Sequence, residues 1–559
     1  MSEQHRLITA LILSSVAILA WQYFFAPPTM PPKATHQEVT VAMPVKQIEV
    51  AEAVDKTVLI KEGFQNGNRV SINTSALSGS INLVGARIDD VAFQQYLVSN
   101  DSNSDRVTFF APSQAHQSYF SEVGWTTDQR NLILPTSQTV WKASKRELKE
   151  NDSVTLYWIS PQNIKFSIEI ALDDHYMFDI KKSVTNLSNE AVELQSYYLL
   201  SRSFYENKSN VISHEGVIGV MGGILNEVTF EDLLKKRKIG YEHQNGGWIG
   251  FSDKYWLAAI IPAPELQFKE ELIAFDDRNK PKFQVSVLEN KVVIQPSTSS
   301  TSQVRLFTGV KKLDLLDEYQ NKYHIALFDR AVDFGMLYFI TKPIFILLSY
   351  FYKLIGNFGL AILLLTVVIK ILLFPLSYKG FKGMNRLKDL QPQIALLKER
   401  CKDDSTMFQK GLMELYKKEK VNPLSGCLPL LLQMPIFFAL YKVLYVTLEM
   451  RHAPFFLWIH DLSAPDPTTI FNLFGLIPWT PPSFLEIGVC PIIMAITIYI
   501  QQKLSPAPPD PVQEKVMSML PVIFLFVFAS FPSGLVIYWA WSNILSIIQQ
   551  SLIKKLTKC

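Results

Sequence analysis

The chain has 559 residues, of which 48% are hydrophobic and only 19% charged, with 36 Phe, 21 Tyr and 10 Trp. About a quarter of a soluble domain is charged, so part of this chain lies out of water, and a disordered, collagen-like or disulfide-scaffold protein is excluded. A net charge of +3 is too small to mark a nucleic-acid binder, and no DNA partner is expected. The four cysteines, Cys401, Cys427, Cys490 and Cys559, have no CxxC spacing and point to no zinc or redox centre.

Residues 7–25 carry no charge over a length close to the ~20 residues that cross a bilayer. No A-x-A pattern follows them, and Trp21, Tyr23, Phe24 and Phe25 form an aromatic belt. These features favour a retained anchor over 1–25 rather than a cleaved signal peptide. Residues 26–54, with Pro27, Pro28, Pro31, Pro32 and Pro44, read as an extended linker.

From 55 to 328 the texture is that of strands. Phe166, Ile168 and Ile170 alternate with Ser167, Glu169 and Ala171, and Phe283, Val285 and Val287 alternate with Gln284 and Ser286. Turn signals such as Asn66-Gly67 and Asn245-Gly246-Gly247 punctuate these runs. Alternation with one buried face predicts antiparallel sheets and, at this length, a large sandwich. A helix over 311–324 closes it.

The remainder reads as membrane helices. Residues 343–355, held between Lys342 and Lys353, are too short to cross, so 329–356 is expected to lie along the membrane surface. A span over 357–377 follows, interrupted by Lys370 alone. Residues 378–422 form a two-helix hairpin: Met384, Leu387, Leu390, Ile394 and Leu397 mark one stripe, Phe408, Leu412 and Leu415 the other, with a turn at 401–404. Next come a span over 423–446, a Pro-rich loop over 447–483, a span over 484–502 and a polar loop over 503–515. Phe531-Pro532-Ser533-Gly534 splits the last apolar run into two short helices, 516–531 and 534–552, before a tail over 553–559. The expected fold class is a multi-pass α-helical membrane protein with six spans, an anchor plus a five-helix core, and a large all-β domain. The hairpin holds eleven Lys/Arg against six Asp/Glu, whereas the loop 447–483 has only Arg451. The positive-inside rule then puts hairpin, tail and N-terminus in the cytoplasm and the β domain outside.

Lys370 is the most informative residue. A lysine near the centre of a span costs roughly 2.5–3.5 kcal/mol on insertion scales, and such residues face a protein interior or a wet cavity unless they snorkel to the interface. Thr366 lies one turn before it and Ser377 two turns after. Thr497 and Gln501 share a face of another span, and Trp539, Asn543, Ser546 and Gln550 form a stripe at spacings of four, three and four. Gln433 adds a further polar group. Interhelical packing accounts for some of the amides. It does not account for a cation in spans whose one carboxylate is Glu486, so water is the expected partner of Lys370. The residues together predict a hydrated, positive groove open to the cytoplasm. Lys382, Arg386, Lys388, Arg400, Lys417 and Lys418 make the hairpin a candidate contact for cytoplasmic partners, anionic lipid and ribosomal RNA among them, beside the plain reading of a solvated basic loop. No Walker A loop, GxGxxG or HExxH is present, and a Thr366–Lys370 dyad has no oxyanion donors. Neither an enzyme nor a cofactor is expected.

Several motifs carry a resemblance. Lys420-Val421-Asn422-Pro423-Leu424-Ser425-Gly426-Cys427-Leu428-Pro429 and Gln433-Met434-Pro435-Ile436-Phe437 resemble the third span of the bacterial YidC/Oxa membrane protein insertase family. Ala453-Pro454-Phe455, Trp458-Ile459-His460-Asp461-Leu462-Ser463, Phe531-Pro532-Ser533-Gly534-Leu535 with Ser542-Asn543 and Gln549-Gln550, and Gly246-Gly247-Trp248 with Tyr255 are also similar to it. The resemblance implies a periplasmic β-supersandwich, a five-helix core with a surface helix and a cytoplasmic hairpin, all in the inner membrane. It further implies a groove that takes up polar parts of nascent membrane proteins without ATP, with SecYEG, the ribosome or targeting machinery and membrane lipids as partners. The family's groove usually carries arginine where this chain has Lys370, which favours an electrostatic role over a bidentate contact. The competing reading is a small-anion transporter or channel with the β domain as receptor; a tethered sugar epimerase is a third.

Overall fold

The computed structural model describes residues 54–101, 103–203, 213–277, 280–401, 405–421, 428–475, 477, 479, 486–504 and 511–558. The expected anchor (1–25), nearly all of the linker, the hairpin turn at 402–404 and the middle of the 503–515 loop lie outside these residues. The chain divides into two compact units, a β-rich one and a helical one made chiefly of residues 332–559.

In the β-rich unit the described strands form a ten-stranded and a nine-stranded sheet. The larger sheet is built around Gln267–Asp277, Lys280–Ile294, Val192–Arg202, Tyr119–Thr126 and Arg87–Leu97, and the smaller around Trp256–Pro262, Ser299–Val310, Met177–Asn186 and Ile164–Leu172. Nearly all pairings are antiparallel; Arg69–Asn73 runs parallel to the short strand Glu147–Leu148. The alternation read at 164–172 is the burial pattern itself: Phe166, Ile168 and Ile170 are fully buried while Lys165 and Glu169 are exposed. The inner faces meet directly, Phe93 of one sheet stacking on Trp256 of the other at 4.8 Å and Trp125 meeting Phe166 edge-on at 5.0 Å. A sandwich of this kind buries one face of each sheet and leaves the other to solvent. Its core also holds polar groups. Lys182 Nζ donates to the carbonyls of Gly124 (3.0 Å) and Tyr197 (3.1 Å), whereas neither carboxylate oxygen of the fully buried Glu270 has a hydrogen-bond partner among the described residues.

Among the described residues three short α-helices accompany the strands: α1 (Lys56–Gln65), α2 (Phe230–Lys236) and α3 (Leu313–Tyr323). Trp248, of the Gly-Gly-Trp motif, is fully buried and donates through Nε1 to Ala326 O at 3.0 Å.

The helical unit contains α4 (Tyr338–Ile355), α5 (Phe358–Leu372), α6 (Phe374–Asp389), α7 (Gln391–Cys401), α8 (Ser405–Lys418), α9 (Leu428–Val446), α10 (Val489–Leu504), α11 (Pro511–Ala529) and α12 (Ser533–Lys558). Four expectations need correction here. Helix α4 starts at Tyr338 and runs through Pro343, so it is long and apolar enough to cross a membrane, and the argument from shortness fails. The span expected over 357–377 breaks after Leu372, and α6 departs at 68°. Pro375 in the first turn of α6 explains the break, since proline fits a helix start but not its interior. Ser377 therefore does not share a continuous face with Lys370. The hairpin arm expected as one stretch is two helices, interrupted at Leu390 two residues before Pro392. Finally, α12 continues to Lys558, so it is not short and the residues expected as a tail are largely helical. The break between α11 and α12 falls at Ser530–Pro532, as the sequence predicts. Among the described residues α4 alone passes as a span by length and composition, with α5 and α6 together as a bent second candidate.

The hairpin stripes do meet. Leu387, Leu390, Ile394 and Val421 form a cluster against which Phe408, Leu412 and Leu415 pack. Met384 instead joins Phe381 and Ile553, tying α6 to α12.

Candidate functional site

The helices of the second unit converge at one end on a capping loop. Phe455 lies over the start of α5 so closely that a Cβ on Gly359 would stand 1.9 Å from its ring. Leu462 O accepts Gly534 N at 3.0 Å, and Ala464 O accepts both Ser533 N (2.7 Å) and Ser533 Oγ (2.9 Å). The loop thus takes up donors that the start of α12 would otherwise leave unpaired. Asp466 does the same for α10: its carboxylate accepts Cys490 N at 2.8 Å, while Thr468 Oγ1 accepts Val489 N at 3.1 Å. Three sequence-distant segments, 453–463, 531–535 and the start of α5, are therefore one assembly.

The polar groups lie away from that end. Eleven rises from Gly359 to Lys370 and twelve from Gly534 to Ser546 place them about 16–18 Å along their helices. There Lys370 Nζ donates to Ser546 Oγ at 2.8 Å and to Gln433 Oε1 at 3.2 Å. Gln433 Nε2 donates in turn to the hydroxyl of Tyr538. Ser546 Oγ donates to Ser542 O at 2.9 Å, and Gln549 Nε2 donates to Lys370 O at 3.2 Å. Neutral side chains of α9 and α12, which the sequence alone did not single out as partners of Lys370, supply these two hydrogen bonds. No carboxylate pairs with Lys370 among the described residues, so its charge is solvated by dipoles and not cancelled.

The other expected residues divide. Asn543 Nδ2 donates to Thr497 Oγ1 at 3.1 Å and Gln550 Nε2 to Leu504 O at 3.3 Å, forming a second polar seam between α10 and α12. Gln501 lies one turn beyond Thr497 on α10. Thr366 is buried and spends its hydroxyl on Ile362 O at 2.7 Å, outside the lysine's network. Trp539 sits in an aromatic cluster, 4.5 Å from Phe437 and 5.0 Å from Phe528 by ring centroids. Lys382, Arg386, Lys388, Arg400, Lys417 and Lys418 are all exposed. Lys388 Nζ approaches Leu504 O at 3.5 Å, where a cation suits the C-terminal end of α10.

Sequence reading missed Tyr538 and Gln549. Tyr538, Ser542, Ser546 and Gln549 recur at spacings of four, four and three, a stripe next to the one chosen and visible in the same helix. It also missed Lys442, whose Nζ lies 2.7 Å from Asp333 Oδ2.

The sequence comparisons match this architecture. Residues 350–558 match the family model described as "60Kd inner membrane protein", and residues 69–347 match that of the YidC periplasmic domain. The chain is 43% identical over 554 residues to the membrane protein insertase YidC of Rickettsia bellii, covering 99% of each chain. It is 43% identical over 552 residues to that of Rickettsia massiliae, covering 98% of each. The chain belongs to the YidC membrane protein insertase family. Members of this family insert proteins into the membrane and are not catalysts of a covalent reaction, and this chain is an inner membrane protein with a periplasmic domain. Among solved structures it is similar to an active YidC insertase, at 17% identity and a TM-score of 0.35 over 87% of this chain and 92% of that one. It is also similar to a galactose mutarotase related enzyme from Lactobacillus acidophilus, at 10% identity and a TM-score of 0.31 over 43% of this chain and 97% of that one.

Proposed function

We propose that insertion by this chain runs through a hydrated cationic groove centred on Lys370, open to cytoplasm and lipid. The observation that carries this is the lysine's set of partners: hydroxyl and amide dipoles of Ser546 and Gln433, with no carboxylate among the described residues. Such dipoles hold a cation in low dielectric while leaving its net charge available to an incoming anion. An acidic or polar segment of a nascent membrane protein enters beside Lys370, where its desolvation costs less than in lipid. The following apolar helix then leaves sideways into the bilayer, favoured by about 0.8 kcal/mol per buried CH₂. Helices α5 and α10, with 15 and 16 residues, are shorter than the ~30 Å hydrocarbon layer, which supports a locally thinned path.

The reading carries an orientation. With α4 lying along the membrane surface, the reading has six spans, both termini and the hairpin in the cytoplasm, and the capping loop at the periplasmic end. The exposed basic residues of α6 to α8 support contact with the ribosome, targeting machinery or anionic lipid, and SecYEG is the expected membrane partner. Photo-crosslinking tests the groove. With a photoreactive side chain at Gln433 or Ser546, a stalled nascent chain carrying an acidic segment crosslinks, whereas a probe at lipid-facing Ile496 captures it less. Equal capture at all three positions would contradict a groove.

A further inference from the structure

A cavity lies wholly within the β-rich unit. It measures about 280 Å³ and is lined by the turn 263–265, by Gln303 and Arg305 of the strand Ser299–Val310, and by Lys322, Tyr323 and His324 at the end of α3. That volume falls near the low end for small-molecule sites.

Its polar groups are arranged around Arg305. The guanidinium lies over the ring of Tyr323, 4.2 Å from the centroid, with Nε 3.6 Å from an Asp179 oxygen. Asp179 is itself engaged by Gln303 Nε2 at 2.6 and 2.8 Å. The guanidinium is thus held by its face and its Nε, and its two terminal nitrogens make no hydrogen bond among the described residues. Lys322 Nζ stands 5.1 Å from the same ring. His324 adopts φ +54°, the left-handed conformation a non-glycine residue seldom takes, where Ile325 N closes onto Gln320 O at 3.1 Å. Imidazole, ammonium and guanidinium therefore line one cavity, with the Glu265 carboxylate among its acceptors.

We infer that this cavity binds a small polyol phosphate: the phosphate monoester rests on Arg305, Lys322 and His324, and Glu265 accepts a ligand hydroxyl. Asp179 and Glu265 offset the charges of Arg305 and Lys322, so the match is one of hydrogen-bond geometry: a phosphate monoester presents three acceptor oxygens to the Arg305, Lys322 and His324 donors, where a carboxylate presents two. The free edge of a fixed guanidinium suits phosphate geometry. Glu265 has no role toward bare phosphate and supplies the preference for a hydroxylated ligand. A soluble ester and the headgroup of a phosphate-monoester lipid share this chemistry.

Titration calorimetry on the full chain in detergent tests it, with glycerol 3-phosphate, inorganic phosphate, glycerol and short-chain phosphatidic acid as probes. The expected result is saturable binding of glycerol 3-phosphate that weakens with salt, weaker binding of inorganic phosphate and none of glycerol. Arg305→Gln weakens it about tenfold or more, and Glu265→Gln brings glycerol 3-phosphate down to the level of inorganic phosphate. Competition by phosphatidic acid assigns the lipid source; its failure to compete assigns a soluble ester. Should Arg305→Gln disturb folding, the exposed Lys322→Gln gives the same test. Silence with every phosphate probe, or affinity unchanged in these variants, overturns the inference.

Discussion

Lys370 Nζ and Ser546 Oγ, 176 residues apart in sequence, are joined by a 2.8 Å hydrogen bond between α5 and α12. The serine gives the lysine an acceptor without giving it a counter-charge. Size, hydrogen bonding and charge at this contact can therefore be varied separately.

Ser546→Ala removes one charge-assisted hydrogen bond, worth about 1.5–3 kcal/mol, but leaves the cation in place. Insertion into proteoliposomes is expected to fall only a few-fold. Ser546→Asp adds two heavy atoms and supplies the missing carboxylate, so it is expected to abolish insertion while the ion pair with Lys370 keeps the thermal midpoint near that of Ser546→Ala. If the aspartate variant inserts as well as the alanine variant, net charge at Lys370 is irrelevant.

Gly359 and Phe455 offer a test of the capping loop. A methyl at Gly359 has no room under the ring, so Gly359→Ala is expected to destabilise the helical unit by about 1–3 kcal/mol. Phe455→Ala loses apolar packing of its own. In the double variant the methyl occupies vacated space, so the two changes together cost less than their sum. Additive losses, followed by detergent-resistant unfolding, would show that the loop does not sit on α5.

Two buried groups of the sandwich give opposite pH slopes. Burial raises the Glu270 carboxyl from 4.5 to about 8, so the folded state holds its proton longer than the unfolded chain. Stability from this group is full at low pH and is lost as pH rises from about 4.5 to 8. Burial lowers Lys182 from 10.5 to about 7, with Glu289 opposing the shift, so stability from this group grows as pH rises from about 7 to 10.5. Glu270→Gln should raise the midpoint of the β-unit transition above pH 8 and barely change it at pH 4.5. Lys182→Met should raise it below pH 7 and leave pH 10.5 nearly unchanged. Circular dichroism melts across pH 4.5–10.5 check both, and parallel profiles for parent and variants would refute the assignments.

The sequence disclosed those features that local periodicity or a proline imposes. Alternation at 164–172 is legible because each buried residue faces the opposing sheet, and the break at Pro532 is legible because proline stops a helix in any surroundings. Lys370, Gln433 and Ser546 stood out because a polar side chain in an apolar run is conspicuous. Tyr538 did not, since tyrosine is equally at home in a core or an interfacial belt, and only its contact with Gln433 reveals its place. The break at Leu373 hid inside continuous apolar sequence, where Pro375 reads as a kink or as a new start. The length of α4 is hidden because Lys342 and Lys353 bracket its apolar run, whereas the helix already begins at Tyr338 and runs on through Lys342. The capping loop was beyond reach: the carbonyls of Leu462 and Ala464 that receive Ser533 and Gly534 belong to the backbone and leave no mark in residue identity.

The central claim is that the charge at Lys370 drives insertion, and one reconstitution tests it most directly. Purified chains bearing Lys370, Lys370→Arg, Lys370→Gln or Lys370→Ala are placed in liposomes and given a small two-span membrane protein without ATP. Lys370→Arg should insert at close to the parent level, and both neutral variants should lose at least about tenfold, with folding confirmed by unchanged thermal midpoints. Insertion by Lys370→Gln at the parent level would contradict a charge-driven groove.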